Sequence, residues 1–123
     1  MKIEVGEYVR TKNGEIAIFR GYNKKKASQW IYKLEFQKRK FPKYCAEGYI
    51  TNHSKEIIGL IEVGDYVNGN KTHSVDYSTS IQTGEKYLVI DKIYQSVKYF
   101  YEKDIRSIVT KEQFNNMEYK INE

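Results

Sequence analysis

The sequence predicts a mainly β protein made of small SH3-like barrels, with one or two short helical turns. Short candidate strands alternate with turn-forming residues along most of the chain, which is typical of β-barrels and sandwiches. The phrase Val-Gly-acid-Tyr-Val also occurs twice, beginning at Val5 and at Val63, and such barrels often begin with a Gly bend followed by a strand. The repeat predicts two tandem barrels, or one barrel that has been duplicated and elaborated.

A β-hairpin is predicted near the N-terminus. The β-rich runs 5–11 and 15–20 flank Asn13-Gly14, a pair typical of type I′ turns because both central residues of that turn have positive φ. A second pair, Asn68-Gly69, follows the second copy of the repeat at nearly the same place. The two halves of the chain are therefore expected to start in the same way.

The segment 29–37 predicts a half-buried strand, because large apolar residues occupy every second position. We interpret this apolar face as core rather than as a stacking surface. It carries Trp30, Tyr32, Leu34 and Phe36.

Two helical turns are predicted among further short strands. Ser54 is placed to cap a turn over 55–58, and Thr110 with Gln113 forms a capping-box pattern before a helix at 111–117. The further strands are predicted at 44–50, 71–77, 85–90, 92–101 and 105–109.

The composition predicts a water-soluble cytoplasmic protein. The chain has 123 residues, of which 40% are hydrophobic, and contains no apolar run long enough to cross a membrane. The start has no apolar secretory region, and the one cysteine, Cys45, can form neither an internal disulfide nor a zinc site by itself. We expect no membrane partner, no metal and no cofactor.

Positive charge is concentrated in the first half of the chain. Residues 1–61 hold thirteen Lys and Arg against six Asp and Glu, whereas residues 62–123 hold eight against ten. We therefore expect a basic N-terminal unit over 1–61 and an acidic-leaning C-terminal unit over 62–123, with the packing of both as one domain as the alternative. The stretch 24–43 alone carries eight cations and one acid, and such a clustered field attracts anions.

This basic stretch is the predicted binding site, because cations can hold phosphates while aromatic rings stack on bases. The competing interpretation, which we weigh equally, is that the lysines only solvate loops. The candidate residues are Tyr22, Lys24, Lys25, Lys26, Lys38, Arg39, Lys40, Phe41, Lys43 and Tyr44.

The sequence offers little for catalysis, and we expect no enzyme. His53 and His73 are predicted to lie in loops, and no spacing to Asp65 or Asp76 matches a known site type. Cys45 lies in a tyrosine-rich strand and is interpreted as a small core residue rather than a nucleophile.

The second half offers a different binding surface. The chain as a whole contains twelve tyrosines, and tyrosine is favoured at protein interfaces. The chain's uneven charge would also allow a homodimer to form head to tail. The acids that could face a basic partner are Asp65, Asp76, Glu85, Asp91, Glu102 and Asp104.

Three segments carry a resemblance to a protein family. They read VGEYVRTKNGEI, SKEIIGLIEVGDYVNG and IRSIVTKEQFNNMEYKI, and together they cover about half of the chain. In these segments the chain resembles small uncharacterised proteins of clostridial phages and prophages, which have no established activity to carry over. The resemblance implies a phage or mobile-element accessory protein in a bacterial host cytoplasm.

Three functions follow as hypotheses. The first is a non-enzymatic phage-type binding protein that interferes with a host process, above all antiphage immunity, by occluding a host protein or nucleoprotein or by sequestering a signalling nucleotide. The second is an SH3-like protein that binds DNA or RNA through residues 24–43. The third is a small hydrolase that uses His53 or His73.

Overall fold

The chain folds into two compact units, Met1–Leu60 and Ile61–Glu123, one residue from the division predicted by charge. The fold is mainly β, as predicted, with eleven strands in three small antiparallel sheets in the described part of the chain. The computed structural model describes residues 2–22, 32–41, 43–93 and 96–117.

The first unit is a five-stranded antiparallel sheet with the order β4-β3-β2-β1-β5. Four strands form a meander and the fifth returns beside the first. A 3-10 turn at Glu47–Tyr49 occupies the middle of the strand predicted at 44–50, and a second one at Ile57–Leu60 follows β5. The strands are β1 (Tyr8–Thr11), β2 (Ile16–Tyr22), β3 (Tyr32–Phe36), β4 (Lys43–Cys45) and β5 (Ile50–Ser54).

The core of the first unit lies under β3, as the alternation along that segment predicted. Tyr32, Leu34 and Phe36 are buried, and the predicted core residue Trp30 lies outside the described residues. Full burial of an apolar side chain such as Leu34 stabilises the fold by about 1.5–3 kcal/mol. The other core members are Ile3, Val9, Ala17, Phe19, Cys45 and Ile50.

The second unit contains two three-stranded sheets, ordered β11-β6-β7 and β10-β9-β8. The strand predicted at 71–77 is in fact two short strands, β7 and β8. A 3-10 turn at Glu102–Asp104 precedes β11, and a helix, α1 (Lys111–Met117), follows it. The strands are β6 (Tyr66–Val67), β7 (Asn70–Lys71), β8 (Asp76–Thr79), β9 (Lys86–Ile93), β10 (Ser96–Tyr101) and β11 (Ile108–Val109).

The two units repeat one pattern of strand pairing. In the first unit β1 pairs with both β2 and β5, and in the second β6 pairs with both β7 and β11. The meander β2-β3-β4 corresponds to β8-β9-β10, and a 3-10 turn precedes the returning strand in both. The second unit differs because its second strand is broken into β7 and β8. Within the described residues, no sheet closes into a barrel.

The two Asn-Gly pairs form different turns. Asn68 and Gly69 have φ of 49° and 79° and connect β6 to β7 directly, as a type I′ turn requires. In the pair Asn13-Gly14, only Gly14 has positive φ, and its N–H donates to the Thr11 carbonyl at 2.9 Å. The predicted hairpin is therefore present, but the type I′ prediction for Asn13-Gly14 is wrong.

The predicted helix caps are confirmed, with one shift in position. The Gln113 N–H donates to Thr110 Oγ1 at 3.3 Å and the Thr110 N–H donates to Gln113 Oε1 at 3.1 Å, a reciprocal capping box. Ser54 Oγ accepts from the Glu56 N–H at 3.2 Å, but the turn that follows begins at Ile57 rather than at residue 55.

None of the helices in the described residues has the length and apolar character needed to cross a membrane.

Candidate binding surfaces

An open groove lies on the exposed face of the β8-β9-β10 sheet. It has a volume of about 690 Å³. Strand register places six of its side chains in two rows of three, because residues directly opposite one another share a face. From β8 to β10, one row reads Asp76, Val89 and Tyr99, and the other reads Ser78, Tyr87 and Tyr101.

Three tyrosines form one side of the groove. The ring centroids of Tyr87, Tyr99 and Tyr101 lie 5.8–5.9 Å apart in all three pairs, and the ring planes are inclined by 65–82°. Such edge-to-face contacts favour a fixed arrangement of the rings. Tyr99 is 51% exposed, so the cluster presents an ordered aromatic surface to solvent.

The opposite side of the groove is the loop that follows β8. Ser80 and Gln82 provide polar groups there, next to Thr79 at the end of β8, and the side chain of Ile81 is fully exposed. The Ser80 N–H donates to the Glu85 carbonyl at 2.8 Å, which ties the loop back towards β9. The groove therefore combines an apolar surface with hydrogen-bonding groups, the usual composition of a binding site.

Asp76 is the one charged residue among the described residues that line the groove. A cation nearby, Lys103, lies 5.7 Å from the Tyr101 ring centroid and pairs with Glu85 at 3.0 Å. Its hydrogen bond to Glu85 raises the pKa of Lys103. The Glu85 carboxylate thus offsets that cation, and the lining itself carries only negative charge.

The described part of the predicted basic site is a turn between β3 and β4. Phe41 there is 74% exposed, and the Lys40 Nζ lies 5.9 Å from its ring centroid. Arg39 is engaged elsewhere: its guanidinium lies 4.5 Å from the Phe36 ring centroid and pairs with Glu15 at 2.9 Å. Within the described residues, no carboxylate pairs with Lys38, Lys40 or Lys43. We call residues 38–41 and Lys43 the basic turn.

The remaining predicted site residues are not gathered around this turn. Tyr22 lies at the other end of β3, opposite Tyr32, and its hydroxyl donates to the Ile3 carbonyl at 3.3 Å. Tyr44 lies opposite Lys33, so it occupies the other face of the sheet from Tyr22. Lys24, Lys25 and Lys26 lie outside the described residues.

Two of the candidate catalytic residues, His53 and Asp65, are engaged in structural contacts, whereas His73 and Asp76 are exposed. His53 lies in β5 rather than in a loop, and its Nδ1 is 3.0 Å from Glu7 Oε1. Asp65 is fully buried and accepts from the Glu62 and Lys111 N–H groups, so it belongs neither to a site with His73 nor to the predicted acidic interface.

Cys45 is a core residue, in line with the interpretation of the sequence. It is 5% exposed, and desolvation raises the pKa of its thiol, which disfavours the nucleophilic thiolate. In the part of the chain that the structure describes, no cluster of three His, Cys, Asp or Glu side chains is arranged to hold a metal ion.

Of the residues that line the groove, sequence reasoning singled out Asp76 alone, as one of the acids that could face a basic partner. Because side chains alternate along a strand, the spacing of Tyr99 and Tyr101 predicts that these two share one face of β10. The sequence alone does not tell whether Tyr87, on β9, lies on the same face of the sheet. Their meeting with Tyr87 depends on the register between β9 and β10, which shifts between Lys98 and Tyr99. The one signal available was the unusual tyrosine content of the chain.

Comparisons with protein-family models, with curated proteins and with solved structures find no match to this chain.

Proposed function

We propose that this protein is a non-catalytic, phage-type binding protein that interferes with a host process by occluding a host protein or nucleoprotein. The groove on the β8-β9-β10 sheet is its main contact surface. The single observation that carries the proposal is the exposed tyrosine cluster beside the fully exposed Ile81. Contiguous exposed apolar surface on a small domain marks interaction sites, and tyrosine is favoured there because it combines contact area with a polar tip.

A non-catalytic role is supported by how the reactive side chains are used. The carboxylates of Glu7 and Asp65 accept hydrogen bonds from neighbouring elements, and His53 completes one of these contacts. Cys45 is held as a thiol in the core. These groups contribute to folding, so the protein acts by occupying a surface of its target.

The host setting comes from the family resemblance. A phage accessory protein that acts in a bacterial cytoplasm meets host defence complexes, and antiphage immunity is the process we propose it disables. The lining of the groove favours occlusion of a protein over capture of a signalling nucleotide. The phosphates of a nucleotide bind to cationic side chains, whereas the charged residue in the described lining is the anionic Asp76.

Affinity capture from a bacterial lysate tests this proposal. The full chain is compared with the double variant Ile81→Ser/Tyr99→Ser and with the control Tyr77→Ser, which alters an exposed tyrosine on the other face of β8. We expect one host complex to be captured with and without nuclease, to be lost with the double variant and to be kept with the control. Equal capture by all three proteins would contradict the proposal.

A second candidate function is direct nucleic-acid binding through the basic turn. It is favoured by the absence of carboxylate partners for Lys38, Lys40 and Lys43 within the described residues, beside the exposed Phe41 ring. Cations next to an exposed aromatic ring are the usual elements of single-strand binding.

Oligonucleotide binding at several salt concentrations tests this second candidate. Each lysine that neutralises a phosphate on a single strand adds roughly 0.7 to the salt slope, so Lys38→Gln/Lys40→Gln/Lys43→Gln should lower the slope by about 2. The control Lys2→Gln/Lys12→Gln/Lys55→Gln removes the same charge from other exposed positions of the first unit. An equal effect of both triple variants would reject the basic turn as the site.

A further inference from the structure

We infer that the groove of the second unit binds an extended peptide segment with a cationic side chain, an arginine above all, and that this chemistry selects its partner. The inference rests on the proposed function, because it names the class of ligand for the same surface. It follows from the shape of the groove floor, from the packing of the tyrosines and from the sign of the charge.

One row of the groove crosses Val89. Asp76 and Tyr99 stand at the two ends of this row, and the smaller Val89 side chain lies between them on the middle strand. Neighbouring strands are about 4.8 Å apart, so the backbones at the two ends are roughly 10 Å apart, and only the small Val89 side chain occupies the space between them. The row therefore fits one long side chain laid across the strands.

The tyrosine cluster can bind a cation against the surface of a ring, but it cannot enclose a cation between its rings. The rings of Tyr87, Tyr99 and Tyr101 touch edge to face at 5.8–5.9 Å, which leaves no space between them for a cation. A flat guanidinium can instead lie against an exposed ring face, as arginine does more readily than lysine. Tyr99, at 51% exposure, offers the most accessible ring of the three.

The charge of the lining selects a cation. Asp76 is exposed on the edge strand β8, and no cation lines the groove among the described residues. A guanidinium that reaches across Val89 would meet the Asp76 carboxylate, which accepts bidentate hydrogen bonds from arginine. The phosphates of a nucleic acid would meet the same carboxylate and be repelled.

The loop wall suits a peptide backbone. The hydroxyl of Thr79 and the amide of Gln82 line the groove beside the apolar Ile81 side chain and can hydrogen-bond to a peptide, whereas the Ser80 hydroxyl accepts from the Thr83 N–H at 3.4 Å. Peptide recognition commonly combines main-chain hydrogen bonds with a pocket for an alternate side chain. The occupant that matches all three features is a basic, partly apolar peptide segment.

The test is an NMR titration of the isotope-labelled full chain with three probes. They are the blocked peptide Gly-Ile-Arg-Val-Arg-Gly, the same peptide with citrulline in place of both arginines, and a short oligothymidylate. Citrulline keeps the shape of arginine and removes its charge. We expect the arginine peptide to shift groove resonances and to bind about three- to tenfold more tightly than the citrulline peptide.

Matched variants locate the binding. Asp76→Asn should weaken the arginine peptide about three- to fivefold and leave the citrulline peptide unchanged, whereas Asp104→Asn, at an exposed position away from the groove lining, should change neither. Tyr99→Leu should weaken the arginine peptide about two- to fivefold, and Tyr77→Leu should not.

Three results would overturn the inference: equal binding of the arginine and citrulline peptides, no effect of Asp76→Asn, or groove shifts caused by oligothymidylate and not by peptide. If lysate capture still depends on Tyr99 and Ile81, any of these results rejects the ligand class and leaves the proposed function in place. If capture is independent of those residues, the proposed function itself fails.

Discussion

The two units of this protein share a hydrogen-bonded start and differ in what they present to solvent. Glu7 and Asp65 hold the same position in the repeated phrase and make the same contacts. Each N–H donates to a carbonyl three residues earlier at 3.0 Å, and each carboxylate accepts from the N–H of that earlier residue, at 2.5 Å from Glu4 and 2.7 Å from Glu62. The repeated acid therefore serves the fold, not a binding site.

The glycine of the repeat has an equally specific role. Gly6 and Gly64 have φ of 97° and 99°, values that L-residues seldom adopt. Their N–H groups donate to the carbonyls of Phe19 and Thr72, and those residues return a hydrogen bond to the carbonyl of the acid. One backbone unit thus occurs twice in the chain, with an apolar residue in one copy and a threonine in the other.

The difference between the units lies in the third partner of the acid. Glu7 Oε1 contacts His53 Nδ1, a side chain on β5, whereas Asp65 Oδ1 accepts from the Lys111 N–H at the start of α1. The shorter, fully buried aspartate is hydrogen-bonded to the first residue of an α-helix, and the described residues of the first unit contain no α-helix. The side chains that organise the start of the second unit are therefore different residues from those that line the groove.

The largest expected effect is that of Asp65→Ala. It leaves the Glu62 and Lys111 N–H groups without their acceptor in a partly buried place, at a cost of about 2–4 kcal/mol of unfolding free energy. Urea denaturation of the full chain measures it, with the exposed Asp104→Ala as the control. A loss no larger than that of Asp104→Ala would show that the buried carboxylate does not organise the second unit.

How much of this follows from the sequence depends on the range of the interactions. The core positions of β3, the reciprocal cap at Thr110 and the repeated start are local patterns, and each was predictable. The groove was not, because Tyr87 meets Tyr99 and Tyr101 only through the register of two strands and a local shift in it. The basic turn was predicted as a charged segment, but its separation from Tyr22 depends on strand order.

The next largest effect distinguishes the two Asn-Gly turns. Asn68 has positive φ, and its Oδ1 accepts from the Arg106 and Ser107 N–H groups at 2.7 and 3.1 Å. Asn68→Ala should therefore cost about 2 kcal/mol, and Asn13→Ala less than about 1 kcal/mol. Denaturant unfolding of both variants measures the contrast. Equal losses of unfolding free energy would show that the two asparagines stabilise their turns to the same extent.

The two glycines should respond alike. Gly6→Ala and Gly64→Ala force an alanine into a strained backbone conformation, and each should cost about 1–2 kcal/mol. An added Cβ meets nothing within 4 Å at Gly6 and only the Lys111 side chain, at 3.5 Å, at Gly64, so backbone strain is the shared cause. Thermal unfolding measures both. A large loss of stability at one glycine alone would show that the two positions are not structurally equivalent.

The smallest effect is the pH dependence of the Glu7 contact. The Glu4 N–H and His53 hold the pKa of Glu7 below its ordinary value of 4.5. A carboxyl whose pKa is lower in the folded state stabilises the protein above its unfolded pKa, and this contribution disappears as the pH falls through the folded pKa. Glu7→Gln should therefore cost about 1 kcal/mol at neutral pH, with the difference shrinking below pH 4.5.

Unfolding measured from neutral to acidic pH tests this prediction. The control Glu4→Gln changes an exposed carboxylate that pairs with Lys55 at 3.5 Å, and it should show little pH dependence. A Glu7→Gln difference that is constant with pH would assign the loss to packing instead of charge.

Site-specific photo-crosslinking in bacterial cells tests the central claim most directly. A benzoylphenylalanine is placed in turn at Ile81 on the groove, at Phe41 on the basic turn and at the exposed Val63 as a control. The proposed contact surface predicts one discrete protein adduct from position 81, which Asp76→Asn or Tyr99→Ser weakens, and no such adduct from position 63. An adduct formed at position 41 and absent at position 81 would contradict the assignment of the groove as the surface through which this protein works.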